Sequence, residues 1–207
     1  MYQKIKRFLI DLLFPAFCLG CNKEGNYLCD DCKATLEILE KRYCLCDNRP
    51  VLLPINGEDG KCERCKSKSL SGLYFALYYK ERALTRKLIN FFGNDPYYLK
   101  DLAKTLSLLI KDHFSLAETD TCKLFENSVF VPLPKDEKEM RARGYSQSKE
   151  IAKELSKIFN VPTTNMVKGS KVFLVDDLYR AEEMESYSKD LREKGIKEIW
   201  GITVARQ

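Results

Sequence analysis

The sequence is poor in histidine, because His113 is the only one among 207 residues. It also has no long apolar run, since the stretch at residues 8–14 is interrupted by Asp11 and is too short to cross a bilayer. No signal peptide precedes the first cysteine, and no long low-complexity segment is present. With no histidine in the first third of the chain, any metal site there must be built from cysteine.

The overall composition is that of an ordinary folded protein. Apolar residues make up 44% of the chain and charged residues 31%, so a buried core is available and disorder is not implied. The formal net charge of +5 permits contact with an anionic partner without requiring one. The missing signal peptide and membrane span lead us to expect a cytoplasmic protein.

Eight of the nine cysteines form four close pairs in the first third of the chain. Three pairs have the C-x₂-C spacing of a zinc knuckle, whereas one pair is separated by a single residue, which would strain its site or leave one ligand loose. Two Cys₄ zinc ribbons in series are therefore predicted. Their ligands are Cys18, Cys21, Cys29, Cys32, Cys44, Cys46, Cys62 and Cys65.

Disulfide bonds are the alternative use of four cysteine pairs. The two-residue spacing favours a metal knuckle, and the rest of the chain resembles a globular domain that needs no covalent staples. The ninth cysteine, Cys122, is expected to be a small buried apolar residue.

Hydrophobic periodicity predicts an α/β region after the ribbons. Strands alternate with helices, which argues for a parallel sheet covered on both faces. We place a short helix (residues 4–14) and a double zinc ribbon in residues 1–70, and a parallel-sheet domain in residues 71–207. The helix at 4–14 would either bind a membrane surface or partner, or fold onto its own protein. Strands are expected at 73–79, 129–131, 172–175 and 199–204, and helices at 83–92, 97–113, 147–159 and 183–194.

Two polar segments follow predicted strands. Asp176 and Asp177 come directly after a fully apolar strand, and paired carboxylates at such a strand end can hold two ribose hydroxyls, directly or through Mg²⁺. Alternatively, one of them only caps the next turn. Arg141 and Arg143, beside Gly144, could clamp a diphosphate, although two loop arginines are also typical of a solvated surface.

Together with the cysteines, four short segments resemble the ComF family of double-zinc-ribbon, phosphoribosyltransferase-like proteins. These segments are residues 13–15, 131–134, 143–147 and 175–177. The resemblance implies a type I phosphoribosyltransferase fold, a phosphoribosyl diphosphate site with Mg²⁺, and a role in DNA uptake during natural competence. It also implies that Asp176 and Asp177 meet the ribose hydroxyls as the catalytic pair, while Arg141 and Arg143 lie near the diphosphate.

The sequence departs from the family at the expected phosphate loop. The family has small residues after the acidic pair, whose backbone N–H groups wrap a phosphate at a helix N-terminus. Here residues 180–184 contain no glycine and two carboxylates, with Arg180 as one compensating charge. The chain between Asn160 and Lys171 also lacks a segment that the family usually places over the site. These losses predict weak or absent transferase activity.

Two functions remain open at this point. The first is a ComF-like protein with a degenerate phosphoribosyl diphosphate site, acting in DNA uptake through single-stranded DNA or uptake proteins. The second is an active Mg²⁺-dependent phosphoribosyltransferase with an unknown acceptor.

For DNA contact, basic residues near the knuckles are interleaved with Tyr27 and Tyr43, which suits contacts with the DNA backbone together with base stacking. Nearly as many acidic residues lie there, so a mixed solvated surface is the alternative.

Overall fold

The computed structural model describes residues 15–46, 50–53, 60–79, 83–94, 99–135, 144–164 and 171–207. The helix predicted at residues 4–14 and the two predicted diphosphate ligands, Arg141 and Arg143, lie outside these ranges. The strands are β1 (Gly72–Tyr78), β2 (Ser128–Pro132), β3 (Lys171–Tyr179) and β4 (Glu198–Arg206). The helices are α1 (Asp30–Ala34), a 3₁₀ turn (Glu63–Cys65), α2 (Ala83–Asn94), α3 (Leu99–Leu116), α4 (Thr121–Leu124), α5 (Gln147–Phe159) and α6 (Ala181–Glu193).

The four strands form one parallel sheet in the order β1-β4-β3-β2. Apolar residues face each other across the central strands, for example Phe130 opposite Phe173 and Val175 opposite Ile202. The strands are buried on both sides, which is typical of parallel sheets. The predicted fold class is confirmed: a double zinc ribbon is followed by an α/β region with an all-parallel sheet.

The connections diverge at the boundary between β2 and β3. Helix α5 follows β2 and leads outward to Thr163, which forms a parallel bridge with Phe130 on the outer side of β2. Helix α6 follows β3 and leads the other way, to β4. The chain therefore reverses its direction of travel between β2 and β3. In parallel α/β sheets, the carboxyl ends of strands at such a switch point form the usual ligand crevice.

The sheet lies between two apolar cores. One core contains α2, α3 and α5 together with Tyr27, Leu28 and Leu36 of the first ribbon. The other contains α6 together with Leu45 and Leu53 of the second ribbon. One face of the sheet is thus covered by three helices and the first ribbon, and the other by α6 and the second ribbon, so the ribbons are part of the packing of the α/β region.

The chain between the ribbons runs beside β1. The amide of Leu39 donates to Ala76 O at 2.9 Å, and Leu39 O accepts from His113 Nδ1 at 2.6 Å. Arg42 then stacks over the rings of Tyr74 and Trp200, at 4.9 and 5.5 Å from their centroids. This segment carries the chain around the edge of the sheet, which puts the two ribbons on opposite faces.

Two expectations from the sequence were wrong in detail. Strand β3 does not end at Val175 but continues to Tyr179, because its backbone stays paired with β4 through Asp176 opposite Thr203. Cys122 is exposed rather than buried. It lies in α4, a helix with no buried residues among its four.

Candidate functional site

The first group of four cysteines combines two local structures. Cys18 and Cys21 lie in a tight turn closed by the antiparallel bridge between Phe17 and Glu24. Cys29 caps the N-terminus of α1, and Cys32 lies inside that helix. The four Sγ atoms lie within 4.8 Å of one another. Residues from two separate turns are thereby brought to one point.

The second group repeats this arrangement. Cys44 and Cys46 lie in a turn closed by the bridge between Tyr43 and Leu52. Cys62 caps the 3₁₀ turn that carries Cys65, and the four Sγ atoms again lie within 4.8 Å of one another. Cys46 Sγ is 3.5 Å from Cys62 Sγ, so the one-residue spacing leaves no ligand out of reach.

Both groups fit a zinc ion. Zinc–sulfur bonds of about 2.3 Å in a tetrahedron place neighbouring sulfurs roughly 3.8 Å apart. The sulfurs of Cys21 and Cys29 are separated by 3.6 Å, and those of Cys62 and Cys65 by 3.7 Å. All nine cysteines are free thiols, so the disulfide alternative fails. Four thiolates leave no open coordination position, which assigns these centres a structural rather than a catalytic use.

Backbone amides of the turns favour thiolates at these positions. Burial raises the pKa of Cys18, but the N–H groups of Cys29, Cys21 and Gly20 outweigh it and lower the pKa from 9.0 to about 6. The pKa of Cys62 is likewise about 6, because Cys46 and backbone N–H groups oppose the effect of burial. One sulfur of each group is thereby favoured as a thiolate. Hydrogen bonding to Cys18 and burial raise the pKa of Cys32 to about 12, and burial and Cys62 raise that of Cys46 to about 12, so the remaining thiols lose their protons when the metal binds.

Gly20 gives the first centre its space. A Cβ atom at this position would lie only 2.5 Å from Cys32 Sγ. Any larger residue would therefore push one ligand away from the other three. Cys32, a ligand from the other turn, therefore restricts position 20 to glycine.

The acidic pair lies where β3 approaches the switch point. Asp176 is fully buried, and its Oδ2 is 2.9 Å from Lys135 Nζ, whose side chain is only 8% exposed. Lys135 follows β2, so the ion pair joins the carboxyl ends of β2 and β3. Asp177 is also buried, at 3% exposure. The predicted pair is thus present, but its first carboxylate is bound to a lysine of the same chain.

Further charges from α6 complete this cluster. Glu183 Oε2 lies 3.8 Å from Lys135 Nζ and 3.5 Å from an Arg180 nitrogen, and that same nitrogen is 3.8 Å from Asp176 Oδ2. Arg180 is the N-cap of α6 and makes no side-chain capping bond. The carboxylate of Glu183 therefore lies in the first helical turn, where an anion is stabilised by the exposed N–H groups.

A cavity of about 600 Å³ opens beside this cluster. Its walls come from the chain after β2 and from α6, with acidic side chains on the helix side. The lining residues are Leu133, Pro134, Lys135, Glu183, Ser186, Tyr187 and Asp190. The cavity is at the switch point, but its single lysine is already paired.

Burial and the neighbouring Asp177 raise the pKa of Asp176 well above its usual value, and the ammonium of Lys135 opposes this shift. The second oxygens of both carboxyls, Asp176 Oδ1 and Asp177 Oδ1, have no hydrogen-bond partner among the described residues. The site is therefore short of cations and donors for the negative charge that it carries.

The structure brings together only part of the predicted site. Asp176, Asp177 and Arg180 are adjacent, and Arg180 contacts Asp176 as a compensating charge. Lys135 was missed by sequence reasoning. In the sequence it is recognisable only as the first cation after the strand that ends at Pro132. Its buried partner, Asp176, lies 41 residues further along the chain.

Aromatic residues proposed to stack on bases are used in packing instead. Tyr27 is buried, with its ring 5.9 Å from that of Phe91. Tyr43 packs on Phe75 at 6.3 Å. Several cations near the knuckles are also engaged, for example Lys33 with a carboxylate of α3 at 2.7 Å. These contacts weaken the case for a base-stacking surface on the ribbons.

Comparison with known proteins concerns the N-terminal third. Within the part of the chain that the structure describes, no helix is both long enough and apolar enough to span a membrane. No curated protein matches the chain. Residues 9–66 match the family model described as a double zinc ribbon domain, and this match contains all eight paired cysteines.

Proposed function

We propose that the protein is a ComF-like, zinc-binding protein whose phosphoribosyl diphosphate site is degenerate, and that it acts in DNA uptake without efficient phosphoribosyl transfer. The order of the ribbons, the sheet and the acidic pair Asp176/Asp177 supports the ComF likeness. The zinc ions would be held by the eight paired cysteines. When bound, they supply a rigid, coordinatively closed scaffold and no open position for a substrate.

The buried ion pair between Lys135 and Asp176 is the observation that carries this proposal. A ribose would need the carboxylates to accept its hydroxyl groups, but Asp176 Oδ2 already accepts from Lys135 Nζ at 2.9 Å. Both carboxylates are inside the protein rather than at an open strand tip. The remaining acceptor oxygens, Asp176 Oδ1 and Asp177 Oδ1, are buried as well, so ribose binding would have to open this charge cluster.

Charge at the neighbouring helix also opposes a phosphorylated sugar. The first turn of α6, where N–H groups would meet a phosphate, holds Glu183 at 3.8 Å from Lys135 Nζ. Glu182 adds a second carboxylate to this turn, and Asp190 lines the cavity. A multiply charged diphosphate entering here would meet repulsion from fixed negative charges.

Calorimetry tests the degenerate site directly. Phosphoribosyl diphosphate with Mg²⁺ is titrated into the zinc-loaded protein, and no saturable heat is expected. The double substitution Glu182→Gln with Glu183→Gln should restore weak binding, because it removes both repelling charges from the first turn of α6. Glu193→Gln, at the far end of the same helix, is the matched control, and it should leave binding absent. Saturable binding by the unaltered protein would overturn the proposal in favour of an active Mg²⁺-dependent transferase.

The uptake role has its own tests. Because Tyr27 is buried and Tyr43 packs against the second core, we propose that contact is made with uptake proteins rather than by stacking on single-stranded DNA. A salt series of single-stranded DNA binding should show no measurable affinity even at low salt; a steep decline of a measurable affinity with salt would contradict this. Deleting the protein in its source cell should abolish uptake of labelled DNA, and normal uptake would refute the assigned role.

A further inference from the structure

Arg206, at the end of β4, is a buried cation that contacts the second zinc centre. It is 2% exposed, and one guanidinium nitrogen donates to Cys44 O at 2.7 Å. A second nitrogen donates to Cys46 O. The guanidinium also lies over the rings of Phe75 and Tyr179, at 5.4 and 5.5 Å from their centroids. A side chain of the sheet thereby holds both ligands of the tight knuckle.

Nothing acidic in the described part of the chain pairs with this guanidinium at ion-pair distance. A charge removed from water is costly unless it is compensated, and two carbonyls with two ring faces compensate it only in part. The neutral alternative is closed, because arginine remains protonated in proteins. A source of negative charge is therefore required close to Arg206.

A zinc ion with four thiolates supplies that charge. Four negative sulfurs and one divalent cation leave a net charge of −2. This centre is also the more enclosed of the two, since Cys44, Cys46 and Cys65 are buried, whereas Cys21 of the first centre is exposed. Water screens the first centre more than the second, so the second has the greater need of a protein cation.

A second cation completes the arrangement. Lys68 Nζ donates to Leu45 O at 2.9 Å. Three consecutive carbonyls, those of Cys44, Leu45 and Cys46, therefore accept hydrogen bonds from two cationic side chains. The two positive charges match the two negative charges of a tetrathiolate zinc centre.

We propose that Arg206 and Lys68 neutralise the second zinc centre and thereby set how tightly it holds its metal. The carbonyls of the tight C-x-C segment are the groups that accept hydrogen bonds from the two cations. Arg206 is a positioning and charge-compensating residue and does not itself ligate zinc. This role is independent of the phosphoribosyl site.

Zinc release to a chromogenic chelator tests the proposal on the whole, zinc-loaded protein. Cys21→Ser weakens the first centre and identifies which release phase belongs to the second. Arg206→Met should accelerate release from the second centre roughly tenfold or more and leave the first unchanged. Arg192→Met is the matched control: this arginine also donates to backbone carbonyls, Ser69 O at 2.6 Å and Lys197 O at 3.0 Å, but not to those of zinc ligands. Its release rates should be unchanged.

Two further variants separate charge from structure. Arg206→Lys keeps the charge with fewer hydrogen bonds, whereas Arg206→Gln keeps a donor without the charge. Slower release from the lysine variant than from the glutamine variant supports charge compensation, and the reverse order overturns it. If the Arg206 variants fail to fold, Lys68→Met tests the same proposal, and zinc release from its second centre should be faster than in the unaltered protein.

The cobalt-loaded protein should show a shifted thiolate charge-transfer band in Arg206→Gln but not in Arg192→Met; an unchanged band in Arg206→Gln contradicts the proposal.

Discussion

Replacing Lys135 by methionine should leave Asp176 as a buried carboxylate without its cation. Removing one partner of a buried ion pair typically costs about 3–5 kcal/mol of folding free energy. Here the side chains of Lys135 and Asp176 are 8% and 0% exposed, so little water is available to replace the lost ammonium. We therefore expect Lys135→Met to lose about 3–5 kcal/mol at pH 7.5.

This cost should depend on pH in a definite direction. Burial and Asp177 raise the pKa of Asp176, and loss of the ammonium raises it further. The folded variant then retains a proton that the unfolded chain releases above about pH 4. The contribution of this proton to the stability of the folded variant is complete below about pH 4 and is lost as the pH rises towards the pKa of Asp176 in the folded state. The difference between variant and unaltered protein should consequently shrink as the solution is acidified.

Urea unfolding followed by the fluorescence of Trp200, the only tryptophan, measures these free energies. The probe is a buried residue of the central strand β4 and therefore reports on the α/β region. Asp176→Asn is combined with Lys135→Met in a double-mutant cycle, and the doubly neutral protein should recover about 2 kcal/mol relative to Lys135→Met. A loss below about 1 kcal/mol that is independent of pH would refute the reasoning, because it would mean that the pair is solvated.

Three other outcomes are expected. Burial lowers the pKa of His113 even though Leu39 O accepts a hydrogen bond from its ring, so the NMR signals of this imidazole should titrate with a midpoint below pH 6.5. Below pH 6.5 the unfolded chain binds a proton that the folded protein does not, so the free energy of unfolding should fall as the pH drops. A midpoint at or above 6.5 contradicts this prediction. Cys65→Ser should lower the calorimetric unfolding temperature roughly 5–10 °C more than Cys21→Ser, because Cys65 is in the sheet core; equal shifts would argue against that coupling. Gly20→Ala should reduce bound zinc by about one ion per chain in metal analysis, since its methyl group displaces Cys32 Sγ, and an unchanged zinc content would show that the turn adapts.

Local patterns in the sequence were sufficient for most of the fold. Cysteine spacing predicted both metal groups, because ligands two residues apart must share one turn. Apolar runs and helical periodicity predicted all four strands, and the helix predicted at 147–159 has the observed bounds of α5. These signals lie within a few residues of one another, so no knowledge of the tertiary structure was needed.

Features set by distant contacts could not be predicted in the same way. β3 continues through two aspartates because Lys135 compensates Asp176 from 41 residues away. Arg206 and Cys44, which form a buried contact, are separated by 162 residues. A local pattern would assign both cations to the surface, where lysine and arginine usually lie. Their burial becomes understandable only when the partners are in place.

Both lateral edges of the sheet are occupied by chain that is not itself part of a strand. On one side Leu39 N donates to Ala76 O of β1, and on the other Phe130 N of β2 donates to Pro162 O while Thr164 N donates to Phe130 O. Exposed strand edges are templates for joining sheets between molecules, and these bonds remove part of each template. Growth of the sheet by adding a strand from another molecule is therefore disfavoured at both ends.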